Sequence, residues 1–238
     1  MMDLYIIRHG DPQYSPDQLT PKGRRQAEAV ARRLSVYGLD RIFSSPNGRA
    51  QETAQPTCEI LKLQPEIEDW MSEDHAFRTF SIDNGRGGRE WVFNGRRAQM
   101  YLPENCEMPR DRWYDVPVFA DMPLVQEGYA RIQAASDDFT ARLGFVRRGQ
   151  RYEAAGEHPR RVAAFCHQGF GLTWISHLLA VPPQLVWRGM DVCHSSMTVF
   201  RFAEDTDGLW SARLLTLSDT PHIYADRLPL RHGNAIEI

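Results

Sequence analysis

The chain has 238 residues, 42% of them hydrophobic and 25% charged, which suffices for a core of useful size without disulfide or metal staples. Its net charge of −3 argues against a protein that binds nucleic acid mainly through phosphate contacts. Its four cysteines are far apart with no CxxC pair, and no run approaches the roughly 20 apolar residues of a membrane span. We therefore expect a cytoplasmic protein with no nucleic-acid or membrane partner.

The first part of the chain alternates strand and helix patterns. Residues 4–10, LYIIRHG, form an apolar run that ends at a glycine, which is typical of a buried parallel strand. Thr20 is suited to be an N-cap and Pro21 the first residue of the helix that follows. Residues 41–45 predict a second strand, and residues 48–63 predict a second helix.

Regular patterns return in the second half. Residues 124–144 predict a helix, residues 160–169 a strand that ends in polar residues and glycine, and residues 171–181 another helix. Residues 195–205 and 209–219 predict a closing pair of strands. This alternation indicates an α/β fold, a three-layer sandwich with a mostly parallel central sheet and helices on both faces.

Residues 75–122 interrupt the alternation. They are rich in Gly, Arg, Asn, Pro and aromatic residues and show no sustained periodicity. A structureless loop of that length is uncommon inside a compact domain. We therefore expect one domain over residues 1–238, with 75–122 inserted as a lid or cap over the active site and containing limited helix. Two interpretations of its arginines stay open: they form a solvated surface, or they bind a second acidic group of the substrate. These residues are Arg78, Arg86, Arg89, Arg96 and Arg97.

Two predicted strands end in a histidine, and arginines stand nearby. His9 and His167 each follow an apolar strand, Arg8 precedes His9, and Arg49 follows the strand at 41–45. Ligands of open α/β sheets bind at the carboxyl ends of the strands, so these groups are expected to converge. Without a full carboxylate set they make a poor metal site but a good phosphoryl site. A neutral His9 is a competent nucleophile, and we expect neither a metal nor a cofactor.

The chain resembles the histidine phosphatase superfamily, which also contains the cofactor-dependent phosphoglycerate mutases. Together the similar segments span nearly the whole chain apart from the insertion. They are RHG at 8–10, LTPKGRRQA at 19–27, SSPNGRAQETA at 44–54, MSED at 71–74, FCHQG at 165–169 and SDTPHI at 218–223.

The resemblance implies catalytic roles for particular residues. It implies that His9 is phosphorylated and that a carboxylate after the second helix is the proton donor, a role that falls best on Glu73. Glu68 and Asp69 compete for that role. The implied phosphate ligands are Arg8, Arg49 and His167.

The chain departs from the family pattern after RHG. The family often continues with Glu, Thr and Asn, whereas residues 11–14 here read Asp, Pro, Gln and Tyr. Gln13 is the available substitute for the phosphate contact of that Asn, and Gln168, beside His167, is a further candidate substrate-binding residue. The residues around Glu73 also differ from the mutase version of that segment.

Other histidines are assigned no catalytic role. A second RHG at 231–233 has no predicted strand before it and no helix after it, so we interpret it as a chance repeat. His177 lies in an apolar helix and is expected in the core. His194 and His222, near strand ends, can border the pocket.

The sequence predicts a metal-independent phosphomonoester hydrolase that acts on a small phosphorylated metabolite through a phosphohistidine on His9. One alternative is a phosphoglycerate mutase-like phosphomutase, which would return the phosphoryl group to its substrate. Another, of a different class, is a catalytically inactive protein that binds phosphorylated ligands; it would need no nucleophile. The physiological substrate and the oligomeric state stay open.

Overall fold

The computed structural model of the protein describes residues 1–107, 110–232 and 236–237. Its strands are β1 (Met2–Arg8), β2 (Pro12–Tyr14), β3 (Asp17–Leu19), β4 (Arg41–Ser44), β5 (Pro65–Ile67), β6 (Ser81–Asp83), β7 (Arg89–Trp91), β8 (Phe145–Arg148), β9 (Arg151–Ala154), β10 (Arg161–Cys166), β11 (Met197–Glu204), β12 (Trp210–Asp219), β13 (Arg231–His232) and β14 (Ile236–Glu237). Its α-helices are α1 (Pro21–Tyr37), α2 (Gly48–Leu61), α3 (Glu73–Phe80), α4 (Val92–Gly95), α5 (Pro103–Cys106), α6 (Val125–Arg142), α7 (Gln168–Leu178), α8 (Pro183–Gly189) and α9 (Pro221–Ala225). Short 3₁₀ turns occur at Asp69–Met71, Gln99–Tyr101, Arg110–Arg112 and Pro117–Phe119.

A central sheet organises the molecule, and within the described residues it has eight strands in the order β5-β4-β10-β1-β11-β12-β9-β8. The half from β5 to β1 is parallel, and the half from β1 to β8 is antiparallel. The antiparallel half follows from short connections, because β8–β9 and β11–β12 are joined by tight loops that cannot make a parallel crossover. The α/β prediction is confirmed, and its parallel strands are those that precede the predicted site.

Helices cover both faces of the sheet because its strands are apolar on both sides. Tyr5 and Ile7 of β1 pack in one apolar cluster with Val30 of α1 and Ala54 of α2. Alternate residues of the same strand, Leu4 and Ile6, belong to the larger cluster on the other face, which includes α6, α7 and α8. Successive side chains of a strand point to opposite faces, so the three layers follow from the pleat.

The start of α1 lies against the loop that leaves β1. Thr20 caps the helix through its side chain, which accepts from the Gly23 amide, and Pro21 opens it as predicted. A Cβ on Gly10 would lie 2.6 Å from the Gly23 carbonyl oxygen. The two backbones can therefore approach this closely only because residue 10 has no side chain.

The region 75–122 contains more regular structure than its sequence suggested. Helix α3 begins at Glu73 with Ser72 as its N-cap, and a β6–β7 hairpin follows. An eight-residue helix and three-residue strands are too short to show a period, so no periodic pattern predicted them. Residues 108–109 of this insertion lie outside the described residues. None of the helices in the described part of the chain is long and apolar enough to span a membrane.

Candidate active site

Three neighbouring parallel strands end at the site. β1 pairs with β10 so that Arg8 lies beside Cys166, and β10 pairs with β4 so that Phe165 lies beside Ser44. The residues that follow these strands are His9, His167 and Ser45, and they consequently meet at one edge of the sheet. The rings of His9 and His167 are 5.1 Å apart between centroids.

His9 is held as a neutral imidazole with one defined tautomer. Its side chain is 3% exposed, and its Nδ1–H donates to the carbonyl oxygen of Gly10 over 2.7 Å. Nε2 therefore keeps its lone pair. Burial, followed by the charges of Arg8 and Arg49, holds the pKa of His9 well below its ordinary value. The uncharged, nucleophilic form is thus the stable one at neutral pH.

His167 is oriented by a hydroxyl relay. Ser45 Oγ donates to Asn47 Oδ1 over 3.0 Å, so it accepts from the Nε2–H of His167 over 2.7 Å. The other ring nitrogen, Nδ1, is buried and has no hydrogen-bond partner among the described residues. Burial and then the neighbouring His9 lower the pKa of His167 well below its ordinary value. Nδ1 is the ring position available to a bound group.

Two buried arginines stand beside the histidines. Arg8 is 4% exposed and donates from Nη1 to the carbonyl oxygen of Val192 over 2.6 Å. Arg49 is 6% exposed and donates from Nη1 to Asp17 Oδ1 over 2.7 Å. The Nε–H group of each arginine is buried without a hydrogen-bond partner in the described ranges. Buried donors without acceptors are costly, and they suit an anionic ligand.

Glu73 reaches the same edge from the first turn of α3. Its two carboxylate oxygens accept from the backbone N–H groups of Gly169 (3.0 Å) and Phe170 (2.9 Å), at the start of α7. Burial raises the pKa of Glu73 above its ordinary value, although these two hydrogen bonds act in the opposite direction. A carboxyl group with a raised pKa can hold a proton closer to neutrality than an exposed glutamate can.

Glu68, the competing candidate, lies elsewhere. Its carboxylate accepts from Trp70 Nε1 over 2.8 Å and forms an ion pair with Arg142. The geometry therefore favours Glu73 over Glu68 as the carboxyl group of this site. Asp69 pairs with His75, and its side chain is strongly exposed.

A cavity of about 610 Å³ opens at these residues. Of the site residues that the sequence predicted, Arg8, His9, Arg49, Glu73 and Gln168 line it, whereas His167 and Gln13 do not. Gln168 also donates to Asp191 from its side-chain amide. Further lining residues, which the sequence did not single out, are Tyr14, Asp17, Asn47, Asp74, Phe77, Glu90, Trp91 and Asn94, together with Arg89 from the arginine cluster of the insertion.

Gln13 is a correction to the sequence-based set. It is exposed in the β2–β3 hairpin, where its amide donates to the carbonyl oxygen of Ser15 and accepts from Gln18. It does not line the cavity. Gln13 lies in β2, only three residues after Gly10, so closeness to RHG in sequence did not place its side chain in the cavity.

Two side chains near the site, the buried His194 and the half-buried Asn47, had no assigned role in the sequence. His194 is 1% exposed, with its ring 5.6 Å from that of His9. Asn47 Oδ1 accepts from Ser72 Oγ and from the Glu73 amide as well as from Ser45. Asn47 thereby connects the partner of His167 to the start of α3. Neither residue has a local sequence signal, because both act through contacts distant in the chain.

No group of three or more potential metal-ligating side chains is found in the described ranges. His177, by contrast, is the core histidine that the sequence predicted, buried and 2.7 Å from Asp137.

Comparison with known proteins fits this arrangement. Residues 4–78 match the family model described as histidine phosphatase superfamily (branch 1), a span that includes Arg8, His9, Arg49 and Glu73. Over residues 4–78 the chain is thus similar to the histidine phosphatase superfamily. The sequence resemblance is thereby confirmed.

Proteins similar in sequence to this chain include several named "Probable phosphoglycerate mutase GpmB". The protein of that name from Cronobacter sakazakii is 38% identical over 112 residues, which are 40% of this chain and 51% of the relative. The one from Yersinia enterocolitica is 27% identical over 141 residues, 46% of this chain and 65% of the relative. The chain thus spans between about half and two thirds of the lengths of these two relatives.

Solved structures are similar to this chain over most of its length. A phosphoserine phosphatase from Entamoeba histolytica, in complex with 3-phosphoglyceric acid, superposes with a TM-score of 0.59 at 21% identity, covering 94% of this chain and 100% of that chain. A mycobacterial glucosyl-3-phosphoglycerate phosphatase gives 0.60 at 19% identity, covering 92% and 100%. At these identities the likeness establishes the fold.

Proposed function

We propose that this protein is a metal-independent phosphomonoester hydrolase that acts on a small phosphorylated metabolite through a phosphohistidine on His9. The observation that carries the proposal is the state of His9 itself. The ring is neutral, and because Nδ1–H donates to Gly10, the lone pair on Nε2 is free to attack. Two buried arginines, Arg8 and Arg49, stand beside it. Such a group needs no further activation to attack phosphorus.

In the first step, Nε2 of His9 attacks the phosphorus in line with the ester oxygen. The N–P bond forms as the P–O ester bond breaks, and Glu73 gives its proton to the departing oxygen. Arg8 and Arg49 donate to the equatorial oxygens, whose negative charge the guanidinium groups offset. His167 donates from Nδ1 when the Ser45 hydroxyl turns its proton to Nε2, 2.7 Å away. Glu73 then carries a negative charge.

In the second step, water attacks the phosphohistidine. The Glu73 carboxylate removes a proton from the water, the new P–O bond forms and the N–P bond breaks. Inorganic phosphate leaves, His9 regains its lone pair and Glu73 regains its proton. The same carboxyl group therefore acts first as acid and then as base.

The insertion is proposed to be a cap of this site, within a single domain over residues 1–238. Phe77, Glu90, Trp91 and Asn94 all line the cavity from this segment. Trp91 packs edge-on against Phe77 at 5.0 Å and is stacked on Phe93. This aromatic wall would limit the access of water and contact the part of the substrate beyond the phosphate.

A phosphomutase is the second candidate, favoured by the name that the curated relatives carry. It would use the same nucleophile but return the phosphoryl group to the bound intermediate. Incubating the enzyme with 3-phosphoglycerate and resolving 2-phosphoglycerate from inorganic phosphate separates the two reactions. A hydrolase releases phosphate, whereas a mutase yields the isomer faster than it releases phosphate.

The proposal is tested by trapping the intermediate. A panel of ³²P-labelled phosphomonoesters is mixed with the enzyme and quenched in base, and the labelled peptide is mapped. We expect an acid-labile label on His9 and none in His9→Ala. Label on serine or cysteine, or wild-type turnover in His9→Ala, would contradict the mechanism. Turnover lost in EDTA and restored by magnesium would contradict metal independence. Phosphate binding without turnover would identify a binding protein instead.

A further inference from the structure

His194 lies directly behind the phosphate-binding edge. It belongs to the connection between α8 and β11, and its backbone N–H donates to the Arg231 carbonyl oxygen over 3.1 Å. Its Nε2 is 2.8 Å from Nη2 of Arg8. His194 does not line the cavity; it contacts the site through this hydrogen bond to Arg8 and through its ring, whose centroid is 5.6 Å from that of His9.

The hydrogen bond between Arg8 and His194 can have only one direction. A guanidinium group has five N–H donors and no acceptor, so Nε2 of His194 must accept from Arg8. The ring is therefore neutral, with its proton on Nδ1. Burial and then the charge of Arg8 lower the pKa of His194 well below its ordinary value, in agreement with that assignment.

Asp11 stands on the other side of the ring. Its Oδ1 is 4.0 Å from Nδ1 of His194, on the side where the ring carries its proton. The same carboxylate is 3.0 Å from Lys22 Nζ and 3.5 Å from Arg231 Nη1, and it accepts from Thr20 Oγ1 over 2.8 Å. Asp11 therefore lies between Arg231 and the His194 ring, but 4.0 Å is too long for a hydrogen bond, and Nδ1 of His194 has no hydrogen-bond partner among the described residues.

The second RHG segment, at residues 231–233, begins beside His194 in the fold. Arg231 and His232 form the short strand β13, while Gly233 lies outside the described residues. Cys193 forms a β-bridge with His232 and accepts from the Arg231 amide through its sulfur. The C-terminal segment therefore fixes the backbone on both sides of the 193–194 peptide.

We infer that His194 is a positioning residue that fixes the plane of the Arg8 guanidinium for phosphate binding. The inference rests on the proposed function. With Nη1 held by Val192 and Nη2 held by His194, the guanidinium cannot turn about its stem. Its remaining donors, including the unpartnered Nε–H, keep one orientation toward an incoming phosphate. Donors fixed in advance need no reorganisation in the transition state.

The test compares three substitutions that differ in where they put an acceptor. Glutamine carries its amide oxygen near the position of Nε2 and can accept from Arg8, whereas asparagine ends near Nδ1 and falls short. Phenylalanine keeps the ring shape without an acceptor. We expect His194→Phe and His194→Asn to raise the inhibition constant of inorganic phosphate and to lower kcat/KM on the order of tenfold to a hundredfold. His194→Gln should stay within about threefold of wild type, because the acceptor is restored.

His177→Phe is the matched control, since it also removes a buried histidine but one that contacts Asp137 rather than Arg8. It should lower Tm without changing phosphate affinity. Equal phosphate affinity in wild type, His194→Phe and His194→Asn would overturn the inference, as would equal losses in His194→Gln and His194→Asn. If His194→Phe does not fold, the Gln and Asn pair decides alone. Absence of phosphate binding and turnover in the wild type would instead overturn the proposed function, and the inference with it.

Discussion

The Nδ1–H group of His9 donates to the carbonyl oxygen of Gly10, the next residue in the chain, over 2.7 Å. This local hydrogen bond selects the tautomer whose lone pair is on Nε2. The backbone of its own turn thus sets the tautomer of the proposed nucleophile, and the charges of Arg8 and Arg49 help to keep the ring unprotonated.

His9 is predicted to stay neutral as the pH falls below the ordinary histidine value. Because burial and the charges of Arg8 and Arg49 lower its pKa, the lone pair should be lost only when the pH falls through that lowered pKa. The ¹⁵N and ¹³C ring resonances of labelled His9, assigned with His9→Ala, should therefore be constant between pH 7.5 and 6. Titration near 6.5, as for free histidine in the same buffer, would contradict the assignment.

Arg49 is predicted to act through the bidentate geometry of its guanidinium group and not through its charge alone. Lysine keeps the charge but loses the bidentate geometry, and it cannot both hold Asp17 and bind phosphate. Arg49→Lys should lose about 2–4 kcal/mol of transition-state stabilisation, measured from kcat/KM. Arg41→Lys is the control, because Arg41 pairs with Glu66 away from the cavity. Near wild-type activity in Arg49→Lys would assign Arg49 a structural role only.

Glu73 is predicted to be needed most when the leaving group is poor. An alkyl phosphate requires protonation of its departing oxygen, whereas p-nitrophenyl phosphate requires little. Glu73→Gln should therefore slow phosphorylation of the enzyme by an alkyl phosphate about a hundredfold or more, and much less with p-nitrophenyl phosphate. Burst kinetics measures this step directly.

Glu68→Gln serves as the matched control for that experiment. Glu68 is tied to Trp70 and Arg142 and does not line the cavity, so its loss should affect both substrates alike. The assignment of Glu73 is wrong if both substrates slow equally in Glu73→Gln, or if Glu68→Gln shows the selective loss.

Position 169 is predicted to tolerate only glycine because Trp91 of the insertion packs directly against it. A Cβ at this position would lie 2.3 Å from the ring of Trp91, so Gly169→Ala must displace that ring. We expect a cost of about 1–3 kcal/mol in the free energy of unfolding, measured by denaturant titration. In a Trp91→Ala background the same change should be neutral or slightly stabilising, since alanine is the better helix former. An equal cost in both backgrounds would show that Trp91 is not the obstacle.

The sequence by itself predicted the helices and strands that are long enough to show a hydrophobic pattern, and the residues at their ends. The apolar run of β1, the cap of α1 at Thr20 and the strand before His167 are local patterns, and the structure confirms them. Because the carboxyl ends of parallel strands share one edge, these patterns also predicted that His9 and His167 would meet.

Only the tertiary structure decided which side chains support that pair. The contact of Glu73 with the α7 amides, nearly a hundred residues away in the chain, favoured Glu73 over Glu68 as the carboxyl group of the site. Gln13 was turned outward by a hairpin too short to show in the sequence, and His194 was brought behind Arg8 by a C-terminal segment that sequence patterns marked as a chance repeat. Such contacts depend on packing between distant segments, and a period of two or of 3.6 residues carries no information about them.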